Sequence, residues 1–101
     1  MENNGLLKKL FPFLRSDDDL SLDEIYEKGN RLIRKCKYRE AFLLYKYAAE
    51  QGHVPSECKV TLCYHKGLGV QANIEEALRW MRLAANHGYA FAQYHLATYS
   101  E

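Results

Sequence analysis

The sequence is short of most features that would assign it a chemistry. Neither sign of charge dominates: 14 Lys and Arg face 13 Asp and Glu, a net charge of +1, so no global field favours nucleic acid or an anionic membrane. Three cysteines, an odd number, argue against a disulfide framework and for a reducing, cytoplasmic setting. No stretch approaches the roughly 20 apolar residues that a helix needs to cross a bilayer, so no membrane span is expected. The first nineteen residues, MENNGLLKKLFPFLRSDDD, lack a basic leading region, and Lys8, Lys9 and Pro12 break their apolar runs, which speaks against a secretory leader.

Chemistry-bearing constellations are also missing. Nucleophilic catalysis needs a Ser or Cys beside a base and an orienting acid, and no strand-to-helix elbow or comparable frame supplies them. The Gly67–Gly69 segment is too short for a phosphate loop and lacks its Lys and Ser/Thr. Cys36, His53, Cys58, Cys63 and His65 invite a zinc reading. On a helix, however, Cys58 and Cys63 lie about 140° apart around the axis, and no C-x-x-C or H-x-x-x-H pair occurs. Asp17, Asp18 and Asp19 form a solvated run. The expectation is a protein that is not an enzyme and takes no cofactor and no metal.

What the sequence does hold is an internal repeat. AFLLYKYAAEQG, from Ala41 to Gly52, returns 36 residues later as ALRWMRLAANHG, from Ala77 to Gly88. Ala41, Ala48, Ala49 and Gly52 recur as Ala77, Ala84, Ala85 and Gly88, with Leu44 and Tyr45 matched by Trp80 and Met81. Small residues at one spot on a helix let a neighbour approach closely, large ones beside them fill the gap, and the glycine stops the helix.

The rest of the chain falls into helices around that repeat. Gly5 to Leu14 has the apolar content of a short amphipathic helix bent near Pro12, read as a cap folded over the core rather than a membrane anchor. Ser21 and Glu24 form a capping box. After it, Leu22, Ile25, Tyr26, Gly29, Leu32, Ile33 and Cys36 make one stripe of a helix running to about Lys35. A tight turn at Cys36 and Lys37 leads to a second stripe, Tyr38, Ala41, Leu44, Tyr45, Ala48 and Ala49, and so brief a turn makes the two helices antiparallel. Pro55 suits the first turn of a third helix that Gly67 ends, with Val60 and Cys63 facing inward. Asn73 and Glu76 resemble another capping box, ahead of a stripe of Ile74, Ala77, Leu78, Met81, Ala84 and Ala85. Tyr89 to Ser100 reads as a last helix.

YEKGNRLIRKCKYREAFLLYKYAAE resembles a tetratricopeptide repeat through Gly29, Tyr38, Ala41, Tyr45 and Ala48, with Cys36 where that family often has Gly. Residues 56–99 resemble its 36-residue relative, the Sel-one-like repeat, through Tyr64, Gly67, Gly69 and Val70, then Ala77, Trp80, Ala84, Ala85 and Gly88, then Ala92, Tyr94 and Leu96. The resemblance implies an all-α fold of antiparallel helix pairs stacked as a short right-handed α-solenoid. It would have about five main helices plus a short N-terminal one, with residues 1–20 as an amphipathic segment and acidic linker and residues 21–101 as the repeat domain. Two pairs and a lone final helix make a short array, so its stability should sit at or below the usual span of about 5–15 kcal/mol.

The resemblance also implies a function. Such arrays bind polypeptides on a concave face lined by the first helix of each pair, which here offers Tyr26, Asn30, Arg34, Lys59, Tyr64 and His95. Tyr26 stands where the related carboxylate-clamp proteins have Lys, ahead of a shared Gly29 and Asn30. Lys59 and His95 suit an acidic peptide. The expected role is a non-enzymatic protein-interaction adaptor. The alternative is a regulatory or inhibitory protein acting through its N-terminal amphipathic segment, with the repeats as carrier. A homodimer through the unpaired last helix is a further expectation. Arg31, Arg34, Lys35, Lys37 and Arg39 cluster at one helix end, where they complement the helix dipole, and no interleaved aromatics suggest RNA.

Overall fold

The computed structural model describes residues 20–88. The expected N-terminal helix, the last helix from Tyr89 and His95 lie outside them. Within them the chain forms α1 (Leu22–Arg34), α2 (Tyr38–Glu50), α3 (Val54–Lys66) and α4 (Ile74–Asn86), with no strand among the described residues. Each helix packs on its neighbour in sequence, α1 on α2, α2 on α3 and α3 on α4, which is the arrangement of a short solenoid.

Local chemistry sets most of the boundaries. The Ser21 hydroxyl accepts from the Glu24 amide at 3.1 Å and the Glu24 carboxylate accepts from the Ser21 amide at 2.8 Å, so two orphan amides of α1 are satisfied at once. Pro55 sits in the first turn of α3, and Gly67 ends it in the left-handed conformation, its amide bonded to the Cys63 carbonyl at 2.7 Å. Asn73 caps α4 by accepting from the Glu76 amide at 3.1 Å. The expected reciprocal bond is replaced, because the Glu76 carboxylate turns instead to Arg79.

The small residues lie at the helix contacts. Ala41, Ala48 and Ala84 are fully buried and Ala77 nearly so. Gly29 lies so close to Tyr45 that a Cβ there would stand 2.7 Å from the ring edge. Gly69, at φ +72°, presses its backbone onto the Tyr38 carbonyl, so the α3–α4 loop is seated on the first turn of α2. A side chain at Gly69 would meet both that carbonyl and a backbone conformation that L residues avoid.

Four expectations about the stripes need correction, the first being Tyr38, which stands 36% exposed as the first residue of α2. Cys36 is exposed, because it takes the turn's left-handed position at φ +61° and leaves the α1 face. Ile74 is 47% exposed, being the first residue of α4 and beyond the reach of α3. Phe42 and Tyr47, outside the expected α2 stripe, are buried because α2 is covered on two sides. Tyr47 joins Ile25 and Leu44 toward α1, and Phe42 joins Val60, Cys63 and Trp80 toward α3 and α4.

Candidate functional site

The first helix of each pair, α1 and α3, carries the residues expected to meet a partner, and the structure puts them to different uses. Tyr45 is 1% exposed and donates its hydroxyl to Asn30 Oδ1 at 2.6 Å. Burial, chiefly, pushes the Tyr45 phenol far up from its usual 10.0, with Cys63 adding to it, so the hydroxyl keeps its proton and remains a donor. Asn30 is therefore committed to the α1–α2 contact. Tyr26 is half-buried and tilts against Tyr45 and His53, at ring-centre distances of 5.9 and 5.3 Å. Tyr64 sets its edge on Phe42 at 5.4 Å. Arg34 is exposed and Lys59 half-buried. Leu62, one helix turn from Lys59, is 38% exposed, a large apolar residue on α3 that had not been expected in the site.

Sequence reasoning also missed two long-range polar links, each joining residues 30 apart. In the first, His53 Nε2 lies 2.7 Å from Asp23 Oδ1 and its Nδ1 lies 2.7 Å from the Ser56 hydroxyl. Acid, imidazole and hydroxyl in series have the outline of a hydrolytic triad. Ser56, however, is fully enclosed while the Asp23 side chain is 87% exposed, so the hydroxyl has no access to a substrate carbonyl. The link instead ties the start of α3 to the start of α1.

In the second, the carboxylate of Glu57 is fully buried in the first turn of α3 and meets His87, the C-cap of α4. His87 Nδ1 stands 3.0 Å from Oε1 and 2.9 Å from Oε2, bonding well to Oε1 and leaving Oε2 unsatisfied. The α3 dipole also favours a negative charge in that turn.

The three thiols differ by position. Burial pushes Cys63 up from 9.0 to about 11, which keeps it a neutral, space-filling group, while Cys36 is exposed and Cys58 lies between. No three His, Cys, Asp or Glu residues gather to hold a metal among the described residues. No described helix is long and apolar enough to cross a membrane.

Antiparallel helix pairs in series, small residues at their contacts and a face of mixed aromatic, cationic and apolar side chains define a helical-repeat interaction protein. Comparison with known proteins narrows this class. The Sel1 repeat matches residues 19–53 and 57–89, and the chain belongs to that family. Sel1 repeats form a non-enzymatic protein-interaction fold.

Among relatives, the chain is 36% identical over 95 residues to Protein SHC1 of Saccharomyces cerevisiae, covering 94% of this chain and 18% of that protein. It is 31% identical over 99 residues to the chitin synthase regulator SKT5 of the same yeast, covering 98% of this chain and 14% of SKT5. To the F-box protein At1g70590 of Arabidopsis thaliana it is 42% identical over 94 residues, 92% of this chain and 26% of that protein. The chain thus spans about a quarter or less of the length of each of these three curated relatives. A crystal structure of a Sel1 repeat protein from Oxalobacter formigenes superposes with a TM-score of 0.67 at 25% identity, covering 90% of this chain and 41% of that one.

Proposed function

We propose that this chain is a protein-interaction adaptor without catalytic activity, working in the cytoplasm, that holds a partner polypeptide across the face formed by α1 and α3. The observation that carries this reading is the division of labour on those helices. Asn30, Tyr26 and Tyr64 are drawn into the packing and make the face rigid, while Arg34, Lys59 and Leu62 keep cationic and apolar atoms available beside them. A rigid face with an apolar centre and charged neighbours suits an extended or helical peptide. The names of relatives that regulate chitin synthase fit an adaptor that acts on an enzyme by binding it.

The test is recovery of a partner from the source cell, followed by direct binding between purified proteins. K59E/L62E should lose the partner while its circular dichroism stays that of the parent. Retention of the partner by that variant would remove the face from consideration, and turnover of an ester or peptide substrate that S56A abolishes would overturn the non-enzymatic reading.

A further inference from the structure

A second surface adjoins that face at Arg34. Arg31, Arg34, Lys35, Lys37 and Arg39 fall within nine residues around the α1–α2 turn, all are exposed, and none makes an ion pair among the described residues. Their backbone is held firmly: the Lys35 amide bonds to the Arg31 and Leu32 carbonyls, Cys36 to Ile33 and Lys37 to Leu32, all within 3.3 Å. Because the Gly67–Val70 loop is seated on Tyr38, the exposed Lys66 at the end of α3 is brought to the same edge. The acids nearby do not neutralise it. Glu40 is half-buried, Glu76 is taken by Arg79, and the exposed acids nearby without an ion pair, Glu27 on α1 and Glu75 on α4, are two against six cations. Like charges gathered on a fixed turn repel one another, and an anion relieves that repulsion.

We infer that this basic edge binds a short acidic segment of a protein partner, as a second contact beside the α1–α3 face. The inference rests on the polypeptide-binding reading above and names the chemistry of the partner. A nucleic acid fits less well. The other end of α1 exposes Asp23, Glu24 and Glu27 within about 20 Å along the same helix, so a long polyanion would run from cations onto carboxylates, whereas a short segment would not. Tyr38 is the lone exposed aromatic on the turn and lays its hydroxyl 3.5 Å from Cys36 Sγ, which is no platform for successive bases.

Fluorescence anisotropy of the full chain with a labelled Asp/Glu peptide of about ten residues tests the inference. K35E/K37E/R39E should weaken binding about tenfold or more, added salt should weaken it further, and K59E/L62E should weaken it much less. K35Q/K37Q/R39Q serves where charge reversal disturbs folding, and should weaken binding in the same direction. Unchanged affinity in the charge variants overturns the edge. So does tighter binding of a single-stranded RNA oligonucleotide or of phosphatidylserine vesicles than of the peptide. Loss in K59E/L62E alone would overturn the edge and leave the α1–α3 face standing.

Discussion

Gly29, inside α1, and Cys36, in the turn that follows it, occupy opposite situations. At Gly29 the backbone conformation is ordinary but the space is gone, because the Tyr45 ring is pinned by Asn30. Ala there gains up to about 1 kcal/mol of helix propensity but must displace a buried ring, and such overpacking costs about 1–3 kcal/mol. G29A should therefore lower the urea midpoint, and Y45L should relieve most of the clash. At Cys36 the space is open but φ is +61°, a region that costs a residue with a Cβ roughly 1–2 kcal/mol. Part of that is returned by the greater freedom of glycine in the unfolded chain, so C36G should raise stability by about 0.5–1 kcal/mol in the same urea titration.

At the scale of the element, helix starts and stops were legible because their chemistry is local. Ser21 with Glu24, Pro55, Gly67 and Asn73 each act within one turn, and all sit where the helices begin or end. The alanine spacing likewise anticipated which residues lie at helix contacts. What could not be read depends on distant partners. Glu57 looks like any first-turn acid until His87, 30 residues on, is brought to it. Asn30 looks like a ligand contact until the Tyr45 hydroxyl claims it, and Leu62 gives no sign of exposure in a sequence where apolar usually means buried.

The Glu57 link makes a further prediction about its elements. H87A should cost about 1–3 kcal/mol by leaving an enclosed carboxylate unpaired. Removing both groups, as in H87A/E57L, should cost less than H87A alone, because no polar group is then left enclosed without a partner. Urea midpoints of the two variants and the parent check this, and a double variant that melts below H87A would show that the link is not an isolated pair.

For the whole molecule, three buried groups pushed up by burial, Cys63, Tyr45 and Tyr47, set the response to alkali. Cys63 holds its proton up to about 11 in the fold, and burial raises Tyr45 as well, whereas both ionise more readily once unfolded. The folded state therefore binds more protons than the unfolded state above the ordinary thiol value. The Cys63 contribution is complete below pH about 9 and is lost as pH rises through 11, while that of Tyr45 begins to fall only above its usual 10.0 and persists to higher pH. Thermal melting should fall across that window, and C63A should flatten the fall. A melting temperature that stays level from pH 9 to 11 in the parent would contradict the assignment.

α2 is the wall shared by two compartments, with Leu44, Tyr47 and Ala48 on one side and Ala41, Phe42, Tyr45 and Ala49 on the other. An element covered on two sides by its neighbours cannot open unless one of them leaves first, so its amides should be the last to take up deuterium. The same shared wall means that the molecule cannot be divided into independent halves. A cut after Gly52 would hand one fragment an α2 stripped of its α3 side and the other an α3 with only α4 to lie on. The shortest run that keeps both sides of α2 covered is therefore α1–α2–α3, three helices rather than one repeat.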